Sequence, residues 1–152
     1  MVPLPRRAIL SHPASFGVMD GNSSSFCSTF ERWYSRGRQH GTEIERQLER
    51  TYRAAWLAGD LADRTCVLSF ILFSEQQDAL DIVIDGLKDD RESIASFAVG
   101  VATEFIRRDF TLAPGLREAL KELPRRFPSQ PAMNSYALML LDRKETRRKK
   151  KA

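Results

Sequence analysis

From about position 24 to position 141, apolar residues recur at spacings of three and four. That is the period of helices buried along one side. Ile94, Phe97, Ala98, Val101, Ala102, Phe105 and Ile106 sustain it over more than three turns, and no comparable alternating run suggests a sheet. The pattern predicts seven helices. The first spans about Ser24 to Gly37, with Phe26, Phe30 and Trp33 on one face. The second opens at Thr42-Glu43-Ile44-Glu45, a capping box. Its Thr hydroxyl accepts from the Glu45 amide while the Glu45 side chain reaches back to the Thr42 amide. It carries Ile44, Leu48, Ala55 and Trp56 and stops near Gly59. Asp60 is the expected N-cap of the third, whose run from Cys66 to Phe73 is too short to span a bilayer and reads as a buried central helix. Ser74 is the expected cap of the fourth, which ends near Lys88, and Asp89 and Asp90 are expected to form the turn that caps the fifth. The sixth starts at Pro114, where a missing N–H is harmless, with Pro124 near its end. Ser129 and Pro131 open the seventh, which holds Met133, Tyr136, Ala137, Leu140 and Leu141.

These elements carry a faint self-similarity at about 36 residues. Leu80, Val83, Ile84 and Leu87 recur as Leu116, Ala119, Leu120 and Leu123, and Phe97, Val101 and Phe105 recur as Met133, Ala137 and Leu141. Shifted backwards, Leu80 and Ile84 fall on Ile44 and Leu48, and Phe97, Ala98, Ala102 and Ile106 on Leu61, Ala62, Cys66 and Phe70. A helix-spaced period of this length marks stacked helical hairpins. The expected fold is all-α: a right-handed stack of three antiparallel hairpins, an α-solenoid, with the first helix capping its exposed end.

The segment from Asp78 to Ala98 resembles a HEAT or armadillo-like repeat. Leu80, Ile84 and Leu87 fall where the first helix of that unit places its inner residues. Asp89 and Asp90 fall in the inter-helix turn, and Ile94 and Ala98 at the apolar pair of the second helix. The family's usual Arg after that first apolar residue is Ala95 here, so its Asp–Arg ladder is not evident. The resemblance implies a scaffold or binding surface and brings no catalytic residues.

A length of 152 residues, 42% apolar and 29% charged, fits one soluble domain. The net charge of +4 is unevenly placed. Asp142 to Ala152 holds seven Lys/Arg against two acids, and the rest is nearly balanced at 17 against 18. Residues 1–22, punctuated by Pro and Gly, read as a flexible leader. The choice of Met1 or Met19 as start stays open, and no apolar stretch of signal-peptide type occurs. Residues 23–142 are then the helical domain and 143–152 a basic tail. Cys27 and Cys66 read as reduced core thiols of a cytoplasmic protein, although sequence cannot test a disulfide between them. His12 and His40 form no zinc pattern with them, and no glycine-rich phosphate loop precedes a helix. No catalytic residue, cofactor or metal is expected.

Two charged features invite a partner. Asp78, Asp81, Asp85 and Asp89 lie at helical spacing, and such like charges repel by about 0.2–0.5 kcal/mol per pair. They suit a basic protein partner, or a hard metal ion with further oxygen ligands from elsewhere, or else are solvated surface. Arg46, Arg50 and Arg53 form a basic stripe that Glu49 weakens by pairing with Arg53. With Arg147, Arg148, Lys149 and Lys150 of the tail they offer an alternative contact for nucleic-acid phosphates. The tail has no interleaved aromatics to stack bases. No membrane partner is expected. The principal expectation is a non-catalytic protein–protein interaction module.

Overall fold

The structure is a computed structural model and describes residues 22–109 and 114–151. Nearly all of the expected leader, with His12, lies outside the described residues. Among the described residues there are seven α-helices, one turn of 3-10 helix and no strand, so the all-α class holds. None of these helices is long and apolar enough to cross a membrane. The chain divides into two compact units, Met1–Ser74 and Glu75–Ala152.

In the first unit, α1 (Asn22–Ser35), α2 (Glu43–Ala58) and α3 (Leu61–Ser74) each pack against the other two. Phe70 is the hub. Its ring meets Phe26 at 6.4 Å and Trp33 at 5.3 Å edge to face, and Tyr52 at 5.7 Å. Aromatic quadrupoles favour such edge-on contacts. Trp33 satisfies its indole N–H on the Gln39 carbonyl at 3.0 Å. The Thr42 cap forms as expected, its hydroxyl accepting from the Glu45 amide at 3.3 Å. The return half of the box differs: the Glu45 carboxylate takes the Gly41 amide at 2.7 Å and His40 Nδ1 at 2.8 Å. Gly59, at φ +80°, ends α2 in the left-handed conformation that L side chains rarely adopt.

The second unit starts with the 3-10 turn Gln77–Ala79 and continues through α4 (Leu80–Leu87), α5 (Glu92–Arg107), α6 (Gly115–Arg126) and α7 (Ser135–Lys151). Within it, α4 packs on α5 and α6, and α7 packs on α5 and α6. The 36-residue shift preserves burial at most of the matched positions here, half-buried Ile84 against buried Leu120 being the exception. Leu80, Val83 and Leu87 are buried, as are Leu116, Ala119 and Leu123. Phe97, Val101 and Phe105 are half-buried, buried and buried, as are Met133, Ala137 and Leu141. Carried back into the first unit, the same shift places buried Ala98 on exposed Ala62, and half-buried Phe97 on exposed Leu61.

Two polar side chains tie this unit together. The guanidinium of Arg126, at the end of α6, donates to the carbonyls of Leu87 (2.6 Å), Lys88 (2.9 Å) and Asp89 (2.5 Å). These lie where α4 runs out of helical donors. Pro124 lies inside α6 and has no N–H, so the Leu120 carbonyl four residues earlier lacks its ordinary helical donor. The buried Asn134 Nδ2 donates to that oxygen at 2.7 Å.

Three boundaries differ from expectation. Ser74 closes α3 and returns its hydroxyl to the Phe70 carbonyl rather than capping the next helix. The seventh helix begins at Ser135, because residues 127–134 are spent on turns closed by Gln130 N–H to Phe127 O and Met133 N–H to Gln130 O. It then runs to Lys151, so the expected tail is helix rather than an extension of irregular chain.

Candidate functional site

The acidic residues do not all share one surface. Asp78 is exposed on the 3-10 turn, and Asp81 and Asp85 are exposed on α4, four residues apart. Asp89 is only 7% exposed. Its Oδ1 accepts from the Arg91 backbone N–H (2.8 Å) and Nε (2.9 Å), and its Oδ2 from Nη2 at 2.9 Å. This fork-to-carboxylate pairing locks the turn between α4 and α5, so Asp89 drops out of the outward-facing set. Nor does either aspartate cap α5. Arg91 holds the N-cap position without a side-chain cap bond.

The arginine stripe of the first unit is largely answered from within α2. Arg46 and Arg50 both grip Glu43, at 3.2 and 3.0 Å, and hold its carboxyl below the usual carboxylate range. Arg46 also donates to the Gly41 carbonyl, and Arg53 lies over the Tyr52 ring at 5.4 Å. Arg147, Arg148, Lys149 and Lys150 occupy the last turns of α7 in the second unit, so the two basic sets belong to different units.

On α7 the charges separate by direction. Arg117 of α6 draws in Asp142, just before the former tail, at 2.9 Å and Glu145 within it. Lys144 bonds Asp109 at 2.7 Å and the Arg107 carbonyl at 3.3 Å. The Lys144 ammonium, with Arg148 and Arg147 behind it, holds the Asp109 carboxyl low. Arg143, Arg147, Arg148, Lys149 and Lys150 remain exposed. Near the start of the helix Tyr136 is 51% exposed, with Arg107 Nη2 donating to its hydroxyl at 3.3 Å.

The first unit holds a polar cluster that the sequence pattern did not single out. Asp63 is fully buried in the first turn of α3, and the thiol of Cys27 on α1 donates to its Oδ1 at 3.4 Å. Its other oxygen has no hydrogen-bond partner. Cys66 follows one turn later on the same face, and both cysteines are free thiols. Hydrogen bonding to Cys66, with burial, pushes the Cys27 thiol far above its ordinary range. Burial pushes the Asp63 carboxyl up to about 6, against the pull of the Cys27 hydrogen bond and with help from the charge of Asp60. A thiol so raised is a poor nucleophile, since the thiolate is the reactive form. An acid in a first helical turn reads from sequence as a favourable dipole contact. Only its spacing of three from Cys66 carried a signal. Among the described residues no group of three or more His, Cys, Asp or Glu is arranged to hold a metal.

Compared with family models, curated proteins and solved structures, the chain finds no match.

Proposed function

We propose that this chain is a non-catalytic protein–protein interaction module, built as a HEAT-like stack of helical hairpins with α1 as its end cap. The carrying observation is that one shift of 36 residues reproduces apolar character and burial at six matched positions: Leu80, Val83, Leu87, Phe97, Val101 and Phe105. Contacts of α4 with α6 and of α5 with α7 are those expected of stacked hairpins. Stacks of this kind serve as binding surfaces.

The contact surface in this reading is the α4 edge with Asp78, Asp81 and Asp85, and the partner is a basic protein. Asp81 and Asp85 stand four apart on α4, a spacing at which like charges oppose each other by a few tenths of a kcal/mol. A cationic surface relieves this repulsion and is steered towards the edge. A small adaptor, or an inhibitor that masks a basic enzyme, fits this size and charge. Two free thiols suit a reducing cytoplasm.

The test is to isolate the partner with the tagged chain and then compare association rates at low and moderate salt. Asp81→Lys with Asp85→Lys should slow association several-fold at low salt, and the difference should shrink as salt rises. Arg46→Glu with Arg50→Glu should leave it nearly unchanged. Equal rates for wild type and the aspartate variant would reduce the edge to solvated surface.

A further inference from the structure

The basic end of the chain takes no part in the acidic α4 edge, and the structure changes what it can do. Because α7 is one helix from Ser135 to Lys151, residues at helical spacing on either side of the former tail boundary share a stripe. Successive residues turn by about 100°. Tyr136, Arg143, Arg147 and Lys150, separated by seven, four and three, therefore fall within a narrow band along the helix. All four are exposed. The band extends for about 21 Å at the helical rise. Arg107 of α5 stands at its aromatic end, bonded to the Tyr136 hydroxyl. Beside the band runs a shallow groove lined in part by Leu138, Met139 and Thr146, with Arg143, Arg147 and the acid Asp142 also contributing.

The acids nearest the stripe are ion-paired, although Asp142 still lines the groove. Asp142 and Glu145 are both held by Arg117 on α6. Lys144 is likewise engaged by Asp109, so it anchors the helix rather than joining the stripe.

We infer that the outer face of α7 is a binding surface for single-stranded nucleic acid. Arg143, Arg147 and Lys150 take successive phosphates, and a base stacks on Tyr136. Cations along a groove with an accessible aromatic ring are the two components that sequence-tolerant single-strand binding requires. A flat charged tail would supply only the first. Duplex phosphates would meet the same cations, but paired bases leave no face for the ring, so the surface favours single strands. The tyrosine hydroxyl is already bonded to Arg107, whose guanidinium also lies over the ring at 6.0 Å from its centroid, so a base stacks on the ring's other side.

The test uses the full chain with fluorescein-labelled oligothymidylate and oligouridylate, a DNA duplex of equal length, and labelled heparin as a polyanion without bases. Fluorescence anisotropy is read across a salt series. Wild type should bind the single strands more tightly than the duplex. With three phosphates engaged, the slope of log K against log salt should be about −2 for single strands. Arg143→Gln with Arg147→Gln and Lys150→Gln should flatten that slope and weaken both oligonucleotide and heparin binding by tenfold or more. Tyr136→Leu should weaken oligonucleotide binding about fivefold or more, while leaving heparin affinity and the salt slope unchanged. Tyr136→Phe should restore wild-type affinity, because the ring is kept. Circular dichroism confirms that each surface variant keeps its helix. Equal affinity of wild type for duplex and single strand would overturn the inference. So would oligonucleotide binding that Tyr136→Leu does not change, or an absence of oligonucleotide binding at low salt.

Discussion

Asp63 shows how one residue can set the response of a fold to pH. Its carboxyl is buried beside two thiols, and its proton affinity rises to a pKa of about 6. The folded state therefore holds the proton more tightly than the unfolded chain, where an aspartate titrates near 3.9. Folding is unburdened by this group below about pH 4. Between about pH 4 and 6 the unfolded chain ionises ahead of the folded one, so stability falls with rising pH and the loss is complete above 6. Urea denaturation of wild type and Asp63→Asn between pH 4 and 7 should show this decline in wild type only. Glu43 and Asp109 act in the opposite sense. Their carboxyls are held low, so their contribution is present above pH 4 and is lost as acid protonates them. Burial also separates two phenylalanines that the sequence treats alike. Phe105 is 2% exposed whereas Phe97 is half-buried. Phe105→Ala should cost about 3–5 kcal/mol by chemical denaturation, and Phe97→Ala clearly less.

At the scale of the helix, the defect at Pro124 and its repair by Asn134 form a separable pair. Asn134→Ala should cost about 1–3 kcal/mol, because it strands the Leu120 carbonyl in a buried position. With Pro124→Ala the backbone supplies its own donor, and the cost of Asn134→Ala should shrink. A double-mutant cycle measured by thermal denaturation would give a coupling of about 1 kcal/mol or more. Much at this scale was legible in the sequence. Thr42 announced its cap, and the apolar period located the cores of all seven helices. The features that were not legible turned on three-dimensional partners. Ser74 looks like a cap because its hydroxyl can serve either a following amide or a preceding carbonyl, and here it takes Phe70. The end of α7 looks like a solvated tail. Its Lys, Arg and Glu residues are good helix formers, but only Arg117 and Asp109 show which of its charges face the protein.

For the whole molecule, the important quantity is where charge is concentrated rather than its sum. Removing residues 143–152 takes away seven cations and one acid, which leaves more acids than bases. The truncated chain should change its behaviour at neutral pH from retention on a cation exchanger to retention on an anion exchanger. Its melting temperature should move little. The lost pair Arg117–Glu145 is a partly exposed ion pair worth about 0–1 kcal/mol, and Lys144, only 13% exposed, adds its buried stem to the pair with Asp109. A large drop in melting temperature would mean that the last turns of α7 support the second unit. The same unevenness explains why the candidate surfaces were only partly readable. Asp78, Asp81 and Asp85 keep the exposure their spacing promised. Asp89 was claimed by Arg91, two residues away, through a turn geometry that spacing does not encode. Tyr136 became relevant only once helix continuity aligned it with Arg143 and Arg147.

The Leu120 carbonyl also bears on the order in which the second unit assembles. Until residue 134 arrives, that oxygen can be satisfied only by water, so the inner face of α6 cannot dry ahead of the first turn of α7. Closing the α6 face and starting α7 thereby become one kinetic step. Substitutions at Leu120 and at Asn134 should slow refolding in the same proportion to their effect on stability, giving matching φ-values from two residues on different elements.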